Sequence, residues 1–142
     1  MGCRIKKEED GIRLIGGRLK GIDADMADMP DMVPTLAAVA AFARGTTRIR
    51  NVAHLRVKES DRLASVADGL TRMGISAACT NDGLVVEGGQ PHEAEINTYD
   101  DHRIAMSFAI AGLKAPGTRI RNPACVEKSF PNFWEVYESL FK

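Results

Sequence analysis

This sequence predicts an α/β fold assembled from repeated β-α-β-α-β-β units, on three observations. Met1-Gly2, Asp10-Gly11 and Gly16-Gly17 recur as Met73-Gly74, Asp82-Gly83 and Gly88-Gly89, each 72 positions further on. Thr47-Arg48-Ile49-Arg50-Asn51 recurs as Thr118-Arg119-Ile120-Arg121-Asn122, 71 positions on, so an independent stretch reports nearly the same period. Within one period, segments of helical spacing alternate with short extended runs, the pattern of layered helices and mixed strands.

Taken in order, residues 4–7 and 12–15 read as strands joined through Asp10-Gly11, and residues 19–24 as a third strand. Pro30-Asp31 opens an Ala-rich helix that stops before Gly45, with Pro34 tolerated in the first turn. Residues 47–50 form the next strand. Leu63, Val66, Ala67, Leu70 and Met73 fall on one helical face from about Ser60, and Gly74 stands where a left-handed cap ends a helix. Residues 75–80 and 84–87 pair through Asp82-Gly83, and 95–98 follow as a strand. Asp100-Asp101 opens a helix running to about Lys114, residues 118–121 form the last strand, and Pro131 leads a closing helix whose face is Phe133, Val136, Tyr137 and Leu140.

The phase of the repeat divides the chain into residues 1–19, the tail of one unit; 20–90, a whole unit; and 91–142, the head of another. Met73-Gly74 follows a helix, whereas Met1-Gly2 has none before it. The expectation is therefore two units' worth of one domain, drawn from a longer parent.

Composition narrows the function. With 142 residues, 44% hydrophobic and 27% charged, the chain has the makings of an ordinary globular core. Lys+Arg and Asp+Glu stand at 19 each, so no global field draws nucleic acid or an anionic membrane, and any anion site must be local. The longest uncharged stretch, from Met32 to Ala43, falls well short of the ~20 residues of a bilayer-spanning helix. Cys3, Cys79 and Cys125 are odd in number and form no C-x-x-C pair, which fits a reducing cytoplasm rather than a disulfide framework or a zinc cage. Met1-Gly2-Cys3 is no acylation signal, since Lys6 stands where Ser or Thr is needed. No two histidines share a helix at ligand spacing, and neither a P-loop nor a dinucleotide fingerprint is present, so no metal and no nucleotide cofactor is expected.

What stands out is cationic charge where a helix dipole disfavours it. Lys58 and Arg62 sit at the start of the second helix, His102 and Arg103 at the start of the third, and Lys128 ahead of the fourth. Taken singly, each is a capped and salt-bridged turn, with Glu59, Asp61, Asp100 and Asp101 as neighbours. Taken together on stacked repeats, they form a cradle for a small, multiply charged anion such as a phosphate or carboxylate. Asp31 reads either as an N-cap or as a proton acceptor set among those cations, and Glu59 either as a dipole partner or as an acid-base group. His54 stands on a loop within reach of the site, and His92 reads as plain surface.

Leu55-Arg56-Val57-Lys58-Glu59-Ser60-Asp61-Arg62-Leu63, Tyr99-Asp100-Asp101-His102-Arg103-Ile104-Ala105-Met106 and Lys128-Ser129-Phe130-Pro131 together resemble the 5-enolpyruvylshikimate-3-phosphate synthases. The likeness covers essentially the whole sequence and falls on the C-terminal third of that family's chain. It implies the enolpyruvyl transferase fold, whose two domains each hold three β-α-β-α-β-β units. It also implies transfer of enolpyruvyl from phosphoenolpyruvate to the 5-hydroxyl of shikimate 3-phosphate, with release of phosphate and without metal or organic cofactor. The missing N-terminal part of the same enzyme would then be a partner, and the chain alone inactive.

By resemblance, Asp31 is the carboxylate at the acceptor hydroxyl and Glu59 the acid-base partner near the enolpyruvyl carbon. Arg62, Arg103 and Lys128 match phosphoenolpyruvate-binding residues. Lys58 matches a lysine beside the shikimate phosphate, His54 lies at a position where the family often has Asn, and His102 resembles a supporting residue. Two rivals remain at this point: the enolpyruvyl transferase of UDP-N-acetylglucosamine, against which the K-E-S-D-R and D-H-R-I-A-M runs speak, and a non-catalytic phosphate-binding module of the same repeat.

Overall fold

The computed structural model describes residues 1–141. Strands β1 (Arg4–Glu8) and β2 (Gly11–Ile15) form an antiparallel hairpin, and β3 (Asp23–Asp25) leads through a 3-10 turn at Pro30–Met32 into α1 (Val33–Ala40). There follow β4 (Gly45–Arg50), a 3-10 turn at Ala53–Val57, α2 (Arg62–Arg72), β5 (Ser76–Cys79) and β6 (Leu84–Gly88). The remainder is β7 (Glu95–Ile96), α3 (His102–Gly112), β8 (Arg119–Ile120), a 3-10 turn at Pro123–Val126 and α4 (Phe133–Ser139).

The middle segment makes one mixed sheet in the order β3-β4-β6-β5, with β3 and β4 parallel and the other pairs antiparallel. The parallel pair needs a crossover, and α1 supplies it. β7 and β8 pair in parallel around α3 in the same way. The local devices recur as well. Arg50 Nε binds Asp23 at 2.6 Å across β3 and β4, and Arg121 Nε binds Glu95 at 2.6 Å across β7 and β8. Asn51 and Asn122, 71 positions apart, both take the left-handed conformation just after their strands (φ 64° and 47°), as does Gly74 (φ 79°) after α2.

The helices line the interior. Of the face read from the sequence, Leu63, Val66, Leu70 and Met73 are fully buried and Ala67 is partly buried against them. α1 and α3 pack against each other, with Ala37, Ala38 and Ala40 of α1 and Ala111 of α3 buried in one core, and Thr35 Oγ1 meets Ser107 Oγ at 3.2 Å. α2 comes so close to α3 that a Cβ on Gly69 would lie 2.3 Å from the Phe108 ring. This close packing sets the separation between the starts of α2 and α3, where the candidate site lies.

Three sequence expectations shift. The strand expected over residues 19–24 narrows to β3, because Lys20 makes only an isolated bridge to Arg44 and Gly21 runs against Thr46 so tightly that a Cβ would sit 2.1 Å from its carbonyl oxygen. Pro30-Asp31 does not open the α-helix; Pro30–Met32 is a 3-10 turn and α1 begins at Val33. Pro131 lies outside α4, which starts at Phe133. The hairpin β1–β2 leaves Ile12 and Leu14 73% and 65% exposed, whereas Leu84 and Val86, 72 positions on, are fully buried.

Candidate active site

Arg62 is the first residue of α2, yet it is only 2% exposed. Asp61 caps the helix by accepting from the Ala64 N–H at 3.0 Å, which leaves Arg62 free to fold back across the helix start. There its guanidinium meets carboxylates from three elements. Nε donates to Asp101 Oδ2 at 2.8 Å, Nη1 to Asp31 Oδ1 at 2.9 Å and Nη2 to Glu59 Oε2 at 2.6 Å. Arg103, in the first turn of α3, donates from Nη2 to Asp31 Oδ2 at 2.8 Å.

The capping alternative for Asp31 does not hold. Met29 and Met32 occupy the cap positions of the 3-10 turn and of α1, and neither element has a side-chain cap bond. Instead, Asp31 has one oxygen on each of two guanidiniums and remains about half exposed. Glu59 lies just ahead of the helix, and its carboxyl is held below its ordinary range, chiefly by its own backbone N–H and then by Arg62 and Lys128, against burial and Asp101.

Asp101, expected from the sequence to open α3 beside His102 and Arg103, is the N-cap of that helix. The fold buries it completely and uses both its oxygens: Oδ1 accepts from the Arg103 N–H at 2.9 Å, and Oδ2 from Arg62 and from Ser60 Oγ at 3.1 Å. Burial alone pushes its carboxyl up, but Arg62, the Arg103 amide and Ser60 together outweigh it and hold the acid low. A buried arginine stripped of such a partner costs about 3–5 kcal/mol. Sequence gave one hint of this, the Asp just before an α3 cation; its burial depends on how α2 packs on α3.

Lys128 is exposed on the loop after the third 3-10 turn, and its ammonium contributes to lowering the pKa of both Glu59 and His102. Lys58 and His54 are exposed as well, and among the described residues neither has an ion pair or side-chain hydrogen bond. Asp31, Glu59, Arg62 and Arg103 thus gather in one bonded network with Asp101 at the starts of α2 and α3, and His102 opens α3 beside it, while Lys128, Lys58 and His54 stand outside the bonded network. Within that network, carboxylates outnumber guanidiniums three to two.

His102 is 7% exposed and its Nδ1 has no partner. Burial is the main cause that pushes its pKa down, opposed by Asp101 and Glu59 and aided by Lys128 and Arg103, which favours the neutral ring at neutral pH. A base whose folded pKa is depressed contributes stability that is complete above its unfolded value of about 6.5 and is lost as pH falls through the folded value. Asp101 and Glu59, also depressed, lose their share at lower pH, below about 4. Thermal melts from pH 8 to pH 3 are expected to show two falls in Tm, the upper one absent in His102→Gln. A single fall near pH 4 in both proteins would remove His102 from this account.

The sequence profile of EPSP synthase (3-phosphoshikimate 1-carboxyvinyltransferase) matches residues 1–137. The 3-phosphoshikimate 1-carboxyvinyltransferase of Syntrophobacter fumaroxidans is 53% identical over 99% of this chain and 34% of its own length. Among solved structures, EPSP synthase from Acinetobacter baumannii superposes with a TM-score of 0.82 at 37% identity, covering 97% of this chain and 36% of that one. The enolpyruvyl transferase NikO from Streptomyces tendae, 24% identical with a TM-score of 0.74, shares the fold. The chain spans about a third of the length of the curated relatives it matches. With the profile running through both arginine-bearing helix starts and relatives near half identity, the chain belongs to the EPSP synthase family.

Proposed function

We propose that this chain supplies the phosphoenolpyruvate side of an enolpyruvyl transferase site. The site would move the enolpyruvyl group to the 5-hydroxyl of shikimate 3-phosphate and release phosphate. The observation that carries the reading is Asp31: a carboxylate at a helix start that caps nothing and is held by two arginines beside Glu59. The names of the relatives supply the acceptor, 3-phosphoshikimate, and the 1-carboxyvinyl group transferred; phosphoenolpyruvate as its donor is what the resemblance of the motifs implies.

In this reading Arg62, Arg103 and Lys128 hold the donor, whose carboxylate and phosphate lie within a few ångströms of each other and need planar and point cations together. Lys58, with His54 on the same approach, faces the phosphate of the acceptor, and neutral His102 lines the donor pocket. Asp31 accepts the proton of the 5-hydroxyl as its oxygen attacks C2 of phosphoenolpyruvate, while Glu59 delivers a proton to the methylene carbon. The bond between C2 and the bridging oxygen of the phosphate then breaks, phosphate leaves with that electron pair, and the methyl group returns a proton to the Glu59 carboxylate to restore the alkene. Depressed as it is, Glu59 is ionised at neutral pH, so it must take up its proton in the assembled site, where an arriving anion competes for Arg62 and Lys128. No metal or organic cofactor has a part in these steps.

The remaining partner is the N-terminal part of the same enzyme, and residues 1–19, 20–90 and 91–142 are the tail, whole unit and head of successive repeats. The three free thiols fit a reducing cytoplasm, and no helix among the described residues is long and apolar enough to cross a membrane.

The test is a chimera in which this chain replaces its matching segment in the S. fumaroxidans relative. Phosphate release is expected with shikimate 3-phosphate and not with UDP-N-acetylglucosamine. Turnover only with the sugar nucleotide, or anion binding with no turnover on either acceptor, would replace this reading with the corresponding rival.

A further inference from the structure

We infer that Asp101 is the positioning residue of the donor subsite, setting the affinity for phosphoenolpyruvate without touching it; this rests on the functional reading above. The carboxylate is fully buried, so no ligand entering from solvent can reach it. Its two oxygens nonetheless reference three candidate residues at once. Oδ2 anchors Nε of Arg62, 39 positions away in sequence, at 2.8 Å, and because a guanidinium is rigid and planar, fixing Nε fixes where both Nη groups point. Those Nη groups reach the half-exposed carboxylates of Asp31 and Glu59, on the side where a ligand arrives. Oδ1 holds the Arg103 amide at 2.9 Å and with it the first turn of α3. Ser60 Oγ, also bound to Oδ2, is braced by Ser65 Oγ at 3.3 Å and fixes the segment that carries Glu59.

The three carboxylates around Arg62 are therefore not equivalent. Asp31 and Glu59, 48% and 38% exposed, are partners that an incoming anion can displace, whereas Asp101 stays on Arg62 throughout. An arginine that loses its fixed partner keeps its charge but not its aim, and orientation is what a bidentate grip on a carboxylate or phosphate requires.

Titration of the 142-residue chain with phosphoenolpyruvate, followed by NMR, tests this directly. Charge-assisted hydrogen bonds of this kind correspond to roughly ten- to hundredfold in affinity, and that loss is expected for Asp101→Asn. Ser60→Ala, which leaves the buried ion pair intact and so tolerates folding, should weaken binding about threefold to tenfold. In the chimera, the donor KM should rise for both variants while the shikimate 3-phosphate KM holds. Unchanged donor binding in folded Ser60→Ala, donor and acceptor KM rising together, or a wild-type chain that does not bind phosphoenolpyruvate would each overturn the proposal. A wild-type chimera that binds the donor but turns over no shikimate 3-phosphate would instead overturn the functional reading.

Discussion

Asp31→Asn is expected to tighten the binding of inorganic phosphate to this chain severalfold and, in the chimera, to lower turnover by about 10²–10⁴-fold. The two effects have one cause. Asp31 occupies Nη1 of Arg62 and Nη2 of Arg103, the groups that a phosphate must use, and an arriving anion has to displace it. Asn keeps the shape, removes the negative charge and brings the network from one net negative charge to neutral, so the competitor weakens while both guanidiniums remain. It cannot accept the proton of an attacking hydroxyl, and chemistry fails. Arg103→Ala should do the reverse to binding, since it removes a donor of charge-assisted hydrogen bonds worth about 1.5–3 kcal/mol each. A purely structural ion pair behaves differently: Asp31→Asn would lower stability, leave anion affinity where it was and spare turnover. Phosphate titration by NMR, with phosphate-release rates in the chimera, separates these cases, and near-native turnover in Asp31→Asn would return the residue to a structural role.

Legibility in the sequence followed the range of the interactions. α2 could be read residue by residue, because its buried face Leu63, Val66, Leu70 and Met73 repeats at local spacing and Gly74 ends it with a positive φ. The two Asp-Gly hairpins were legible for the same reason. The three 3-10 turns were not, since none carries a side-chain cap or an apolar period of its own. The turn at Pro30–Met32 matters most: it moved the helix start past Asp31 and so freed that carboxylate from the capping role its position had suggested. Of the acidic neighbours that the sequence sets beside the cations at the start of α2, Glu59 does bind Arg62, at 2.6 Å. Asp61 instead caps the helix, and the other two partners of Arg62, Asp101 and Asp31, lie 39 and 31 positions away and arrive through packing that spacing does not encode.

By itself the 142-residue chain should release no phosphate from phosphoenolpyruvate and shikimate 3-phosphate above background. In the proposed function the residues gathered here would grip one substrate from one side, and the chain spans about a third of the length of its curated relatives. Holding two reactants in register accounts for roughly 7–11 kcal/mol of barrier reduction, and a site open along one wall forfeits most of it while leaving both substrates hydrated. The surface indicates where the rest belongs. Ile5, Ile12 and Leu14 on the β1–β2 hairpin are 67%, 73% and 65% exposed, and an apolar groove between α1 and α3 is lined by Leu19, Val39, Phe42, Ile110 and Leu113. Apolar surface of this kind is covered in a finished domain, so the chain alone should be marginally stable or self-associating. Adding the separately expressed remainder of the S. fumaroxidans relative should restore turnover and, in the same mixture, protect the amides of β1 and β2 from hydrogen exchange. Turnover by the chain alone would show that Asp31, Glu59 and the three cations suffice without an opposing wall; turnover on mixing without protection of the hairpin would place the missing wall elsewhere on the surface.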